Sequence, residues 1–290
     1  MITRNITGKA KIAGIIGWPV GHSLSPVLHG YWLAEHGIDG ALVPLPARAQ
    51  DFAAILDGVR RAGFTGVNVT VPHKESAFAL AHETDKAAQI SGAANLLAFE
   101  GGRILARNTD GFGLQHSLRE ALGPDALSGT VAVMLGAGGA ARGGLLALQA
   151  VGVRTVHILN RDPARAKSLA ASLGKDITAT LLPGALTDWP SVAGAAALLL
   201  NTTSAGMGSI PPLALDLGAL NKNAAVCDIV YNPLETPLLK DAKARGHRTI
   251  DGLGMLMHQA VPSFEVFFGV RPAVTPGLRV ALEKVLRDRG

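Results

Sequence analysis

The stretch Val131-Ala132-Val133-Met134-Leu135-Gly136-Ala137-Gly138-Gly139-Ala140-Ala141 decides the fold. Its first five residues are apolar and read as a buried strand. The rest is a glycine-rich turn of the form G-x-G-x-x-A. The first glycine permits a tight turn, and the second lets the backbone approach a pyrophosphate. The small Ala141 allows close helix–strand packing, and the N-terminus of the following helix faces the phosphates. Such a turn is informative only in context. Here a helix over residues 141–151 follows it, and a second strand over 155–159 completes a βαβ unit. A glycine turn serving only helix–sheet packing is the alternative.

Working outward, strands and helices alternate. After the turn come a helix at 163–173, strands at 198–201 and 225–231, and a short strand at 248–250. This series implies a parallel sheet with helices on both faces. Before the turn, strands are expected at 11–17, 41–45 and 67–71. Helices are expected from Ser25-Pro26 to about residue 36, and at 51–62 and 73–81. Ser25 reads as an N-cap with Pro26 at the first helical position. Residues 94–99 and 103–106 read as a hairpin around Glu100-Gly101-Gly102, so this first sheet is mixed. Helices follow at about 112–122, 255–268 and 276–288. The fold class is therefore α/β with two domains, the second of them Rossmann-like and doubly wound.

The 290 residues are 48% hydrophobic and 17% charged, which suits a globular chain with ample core. The net charge of +5 comes without a long Lys/Arg block, which argues against nucleic acid as the main partner. A single cysteine, Cys227, excludes an intramolecular disulfide and reads as a buried strand thiol. The opening Met1-Ile-Thr-Arg-Asn-Ile6 lacks a leader pattern, and the longest apolar run, 192–200, is too short to span a bilayer. A cytoplasmic protein with no membrane partner is expected. The nine histidines show no metal-ligand spacing, so no metal is expected.

At the end of the second strand of the βαβ unit, NAD sites usually carry an acidic residue. This chain has Asn160-Arg161, and a guanidinium suits a 2′-phosphate. Arg165 lies one helical turn on. Asp162 precedes Pro163 and reads as the cap of the next helix. NADP is the cofactor expected, with NAD left open. The polar run Asn201-Thr202-Thr203-Ser204 sits at a strand's carboxyl end, where open α/β sheets bind ligands. Ordinary turn chemistry explains it as readily.

Three polar clusters mark the first domain. His22-Ser23-Leu-Ser25-Pro26 places two serines before a helix, where an anion can bind. In Asn68-Val-Thr70-Val-Pro72-His73-Lys74, Asn68 and Thr70 share a strand face, and Lys74 follows at a strand–helix junction. Arg107-Asn108-Thr109-Asp110-Gly111 precedes another helix, and Asp110 there reads as a cap or a functional carboxylate.

These clusters resemble the shikimate dehydrogenase family, over nearly the whole chain. The matching runs include Gly17-x-Pro19-x-x-His22-Ser23-x-Ser25-Pro26-x-x-His29, Asn68-Val-Thr70-Val-Pro72-x-Lys74, Gly92-Ala-x-Asn95 and Asn108-Thr109-Asp110-Gly111. They continue through Gly136-Ala-Gly-Gly-Ala140, Asn160-Arg161, Tyr231-Asn-Pro233, Thr236-Pro-Leu238 and Asp251-Gly252-x-Gly254-Met-Leu-x-x-Gln259-Ala260. The resemblance implies reversible NADPH-dependent reduction of 3-dehydroshikimate to shikimate, in aromatic amino-acid biosynthesis. It implies that Ser23, Ser25 and Tyr231 bind the substrate carboxylate, and that Thr70, Asn95 and Gln259 bind ring hydroxyls. Lys74 and Asp110 would be the catalytic pair. Gly136, Ala137, Gly138, Gly139, Ala140, Asn160, Arg161, Arg165, Thr202, Ile229 and Gly252 would hold NADP. A substrate-binding and catalytic domain over 1–110, completed by 253–290, would join an NADP domain over 111–252, with the substrate in a cleft between them. A monomer or homodimer is implied.

The chain departs from the family pattern at Trp18, Gly30, Leu96 and Asp162, and none of these removes a proposed catalytic group. A quinate/shikimate dehydrogenase using NAD would carry nearly the same motifs. A non-catalytic binding module would be expected to lose Lys74 or Asp110. A methylene-tetrahydrofolate dehydrogenase-like enzyme would lack the paired serines and the Asn-Thr-Asp-Gly run.

Overall fold

The computed structural model describes residues 6–289, which fold as two compact units. One runs up to Thr109 and takes in Gln259–Val285; the other holds Asp110–His258 and the chain from Leu286. The residues before Ile6, read above as lacking a leader, lie outside the described part. Among the described residues no helix is long and apolar enough to cross a membrane.

The first unit begins with β1 (Lys11–Gly17), α1 (Ser25–Glu35), β2 (Gly40–Pro46), α2 (Phe52–Arg61) and β3 (Gly66–Val69). It continues through α3 (Lys74–Ala79), β4 (Glu83–Thr84), α4 (Lys86–Ser91), β5 (Leu96–Glu100) and β6 (Arg103–Arg107). The strand order is β2-β1-β3-β5-β6-β4. β1 pairs in parallel with β2 and β3, whereas β5 runs antiparallel to β3 and β6. The sheet is mixed, as the hairpin at Gly101-Gly102 required. Pro44 and Pro46 sit on β2 at the sheet edge, where a missing N–H costs no ladder bond. Along β3 the two-residue period sorts the side chains. Val67 and Val69 join Phe52, Leu56 and Ala77 in one core, while Asn68 on the other face donates to Ser263 Oγ at 2.7 Å.

Ser25 departs from the expected cap. The helix already includes it, Leu24 takes the cap position, and no side chain of Leu24 or Ser25 caps the helix. The acceptor comes one step earlier, because Ser23 Oγ takes the Ser25 N–H at 3.2 Å. Pro26 fixes a helical φ and so tolerates the helix starting a residue sooner. The α4 helix was passed over in the sequence. Asp85 caps it, accepting from the Ala88 N–H at 2.7 Å.

The second unit contains α5 (Asp110–Leu122), β7 (Val131–Leu135), α6 (Gly139–Ala150), β8 (Thr155–Asn160), α7 (Pro163–Leu173) and β9 (Thr180–Ala185). After these come α8 (Trp189–Val192), β10 (Leu198–Asn201), β11 (Ala225–Asp228), α9 (Pro237–Ala244) and β12 (Arg248–Ile250). The order is β12-β11-β10-β7-β8-β9, parallel throughout. This is the doubly wound, Rossmann-like sheet. β9 was not anticipated, since Pro183-Gly184 breaks its strand signal; as an edge strand it tolerates both. The expected strand at 225–231 stops at Asp228, whose side chain redirects the backbone as described below.

Two helices close the chain, α10 (Gly252–Phe268) and α11 (Pro276–Arg289). The later part of α10 packs on α1 in the first unit. Trp32 meets Phe264 edge-on at 5.3 Å, and its indole N–H donates to the Ala273 carbonyl at 2.9 Å. Trp32, Phe264 and Phe267 are at most 1% exposed. Burying side chains of this size contributes about 2–3 kcal/mol apiece. His29 lies in this aromatic nest, 5.7–6.2 Å from the rings of Trp32, Phe264, Phe267 and Phe268. It is fully buried, and neither ring nitrogen has a hydrogen-bond partner among the described residues. Burial pulls its pKa down to about 3.

Candidate active site

In the second unit the site starts at the glycine turn. Gly136 has φ of +107°, a conformation that favours glycine, and its N–H donates to the Leu159 carbonyl at 2.8 Å. A Cβ there would lie 2.8 Å from Thr203 Cγ2 and 2.9 Å from Thr202 Oγ1. Gly138 and Gly139 face open space, since a Cβ on either would meet nothing within 4 Å. The α6 amides therefore open onto room for phosphates, and the turn fits a dinucleotide. Asp110 starts α5, whose Gly111 sits against Gly143 of α6. A Cβ on Gly143 would lie 3.1 Å from the Asp110 Cβ, so a glycine pair brings that carboxylate's helix onto the helix behind the turn.

At the end of β8, Asn160 Nδ2 donates to the Asp162 carbonyl at 2.9 Å, and Asp162 Oδ1 accepts from the Ala164 N–H at 2.9 Å. Asp162 is thus the α7 cap, as the sequence suggested. Arg161 and Arg165 flank it, both exposed. Thr202 plays a supporting part: its hydroxyl donates to the Leu135 carbonyl at 2.7 Å and braces the strand that enters the turn.

Asp228 escapes the sequence reading, falling inside the strand expected at 225–231. It is fully buried. Its Oδ1 accepts from Asn201 Nδ2 and the Val230 N–H, each at 3.0 Å, and its Oδ2 accepts from Thr236 Oγ1 at 2.8 Å. Asn201 Oδ1 in turn accepts from the Thr203 N–H at 3.0 Å and hydroxyl at 2.7 Å. One carboxylate thus ties the ends of β10 and β11 to the cap of α9. It bends the chain toward Ile229 and Tyr231, and Ile229 packs against Gly252, where a Cβ would run into the Ile229 carbonyl. Burial raises the Asp228 pKa, and the bonds from Val230, Thr236 and Asn201 oppose that rise. The available signal was a lone acidic residue closing an apolar strand at its carboxyl end.

In the first unit, Ser23, just before α1, and Thr70, just after β3, are partly exposed, and Lys74 begins α3. Ser25 is buried. Asn95 and Gln259, distant in sequence, meet here: Asn95 Nδ2 donates to Gln259 Oε1 at 3.1 Å. Thr109, not singled out from the sequence, joins them. Its N–H donates to Asn95 Oδ1 at 2.8 Å and its hydroxyl to the Gln259 carbonyl at 2.9 Å. Asn108, also quoted only as part of a motif, anchors the same loop through Ser91 Oγ at 3.0 Å and the Ala93 carbonyl at 2.9 Å. Polar groups so buried need such partners. The network presents oriented amides and hydroxyls, which suits a polyhydroxy ligand. Lys74 and Tyr231 are partly exposed; Lys74 belongs to the first unit, whereas Asp110 and Tyr231 belong to the second.

A parallel, doubly wound sheet with an open glycine turn, joined to a mixed-sheet unit carrying a lysine and a network of amides, defines a two-unit α/β protein of the dinucleotide-binding class. Family models sharpen this. Residues 15–97 match the shikimate dehydrogenase substrate binding domain, and residues 119–205 match shikimate/quinate 5-dehydrogenase. Shikimate dehydrogenase (NADP(+)) of Rhodospirillum rubrum is 50% identical over 282 residues, spanning 96% of this chain and 98% of that protein. The crystal structure of shikimate 5-dehydrogenase from Thermus thermophilus in complex with NADP(H) and shikimate is similar with a TM-score of 0.82. It is 33% identical and covers 96% of this chain and 99% of its own. Quinate dehydrogenase from Corynebacterium glutamicum in complex with NAD has a TM-score of 0.85 at 30% identity, over 96% and 99% of the two chains. The chain belongs to the shikimate dehydrogenase family.

Proposed function

We propose that the chain catalyses the reversible NADP-dependent interconversion of 3-dehydroshikimate and shikimate. The likeness in fold does not separate shikimate from quinate, since structures of both kinds of enzyme match equally well. The observation that carries the reading is the 50% identity, over nearly both full lengths, to a shikimate dehydrogenase that uses NADP(+).

NADPH, when bound, supplies the hydride, and the backbone from Gly136 to Ala140 together with Asn160, Arg161 and Arg165 would hold it. Arg161 and Arg165 suit the 2′-phosphate, and Asp162 is already occupied as a helix cap. Thr202 lies against the turn at Gly136, and Ile229 and Gly252, packed on each other, are assigned to the same cofactor. The Lys74 ammonium stabilises the oxygen that becomes an alkoxide as the ketone is reduced, and delivers the proton it needs. Asp110 is assigned as the carboxylate of the catalytic pair. Ser23, Ser25 and Tyr231 take the substrate carboxylate. Thr70, Asn95 and Gln259 take the ring hydroxyls, with Thr109 setting the rotamers of the last two.

The test follows the absorbance of reduced nicotinamide with shikimate or quinate, each crossed with NADP+ and NAD+. Shikimate with NADP+ gives the highest kcat/KM. No turnover of shikimate, or a higher kcat/KM for quinate with NAD+, overturns the assignment.

A further inference from the structure

We infer that His73 is a positioning residue that sets the root of Lys74. The inference rests on the reading of Lys74 given above. His73 is 2% exposed, and its ring stacks on Phe52 at 4.5 Å and 13°. Its Nε2 donates to the Ala47 carbonyl at 2.7 Å, which fixes that nitrogen as the protonated one. Both partners are themselves buried, and each starts or follows an element: Phe52 opens α2, and Ala47 follows β2.

The contacts spread from there. The Ala47 N–H donates to the Gly17 carbonyl at 3.1 Å, at the end of β1. Trp18, the next residue, donates its N–H to the Val71 carbonyl at 3.0 Å, and the His73 N–H closes on the Thr70 carbonyl at 3.0 Å. The imidazole therefore ties the carboxyl end of β3 to that of β2, and backbone bonds join both to β1, which lies between them. Lys74 is the residue after His73. Its own carbonyl accepts from the Ala94 N–H at 2.9 Å, one residue before Asn95. The lysine backbone is thus held from both sides, by the imidazole and by the segment that leads through Asn95 into β5. A lysine side chain is long and flexible, so its ammonium is placed no better than its Cα. Displacement of about 1 Å at a reacting group costs on the order of 100-fold in rate.

Phenylalanine at this position would keep the stack and lose the donor, whereas glutamine would keep a donor of similar reach. In the full-length protein with shikimate and NADP+, His73→Phe lowers kcat roughly 10- to 100-fold. Its KM for shikimate and its Kd for NADPH stay within about twofold of the parent, because neither site is touched. His73→Gln recovers at least half of that loss on a logarithmic scale. Phe52→Leu removes the stack but keeps the imidazole. It gives the same kcat-only signature, and it carries the test should His73→Phe fail to fold. Parental kcat in the folded His73→Phe and Phe52→Leu variants overturns the inference. So does a joint loss of kcat, KM and cofactor affinity, or a His73→Gln variant no better than His73→Phe. Lys74→Ala, measured alongside, separates the two readings. An active Lys74→Ala overturns the role of Lys74 and this inference with it; an inactive one beside a fully active His73→Phe overturns the inference alone.

Discussion

His29→Leu tests the aromatic nest between α1 and α10. The native imidazole has a pKa of about 3 against an ordinary value of 6.5, because burial among Trp32, Phe264, Phe267 and Phe268 disfavours its charged form. The unfolded chain binds the proton at the ordinary value. Below pH 6.5 the unfolded state therefore takes up a proton that the folded state refuses, and stability falls as the pH is lowered. Each unit of separation is worth about 1.4 kcal/mol, so the full loss approaches about 5 kcal/mol near pH 3. By pH 5 it is about 2 kcal/mol. That is a large share of the ~5–15 kcal/mol by which folded proteins typically exceed their unfolded state. Leucine removes the titration. It also removes two buried nitrogens without partners, a gain of about 1–2 kcal/mol at neutral pH. Urea unfolding followed by circular dichroism at pH 7.5, 6 and 5 reads both effects. The parent midpoint falls steadily over this range, and the leucine variant starts higher and falls less. A leucine variant that loses as much stability as the parent between pH 7.5 and 5 refutes the reasoning.

Lys74→Ala lowers kcat by roughly 100- to 10,000-fold while NADPH binding, read by nicotinamide fluorescence, is unchanged; near-parental turnover sinks the proton-donor role. Arg161→Ala weakens NADPH binding by about 10- to 100-fold, the worth of a charged hydrogen bond, and leaves NADH affinity alone. Equal losses for both cofactors remove the case for a 2′-phosphate contact. Asp228→Ala leaves Asn201 Nδ2, the Val230 N–H and the Thr236 hydroxyl without their acceptor, and costs about 3 kcal/mol or more. In a scanning melt that is a drop of roughly 6–12 °C. Because the folded carboxyl titrates above its unfolded range, Asp228 makes stability decline as pH rises through that window. The variant loses this slope, and an unchanged slope would assign it to another group.

The glycine turn and its βαβ frame were legible because they depend on local geometry. Gly136 needs a positive φ, and five apolar residues before it have only a buried strand to form. Asp162 was legible as a cap because Pro163 follows it. What escaped was decided by tertiary contact. β9 contains Pro183-Gly184 and forms only because β8 supplies the pairing. Ser25 looked like the cap, yet the neighbouring Ser23 hydroxyl took that N–H. Thr109 and Asp228 owe their importance to partners far along the chain, Gln259 and Asn201, which no local window contains. His29 was visible only as a motif residue; its lack of polar partners is a property of the packed rings around it.

The return of the chain's end to its first unit has a consequence for the order of synthesis. Asn68 waits for Ser263, Trp32 for Ala273, and His29 for three phenylalanines of α10. Strands early in this sequence are thus covered by residues some two hundred positions later, while the sheet from β7 to β12 is complete once Ile250 has emerged. A nascent chain therefore holds the face of its first sheet that carries Asn68 without the cover of α10 until residues 263–273 have been made. Loss of residues 259–285 would remove that cover permanently and leave every strand of the glycine turn's own sheet in place.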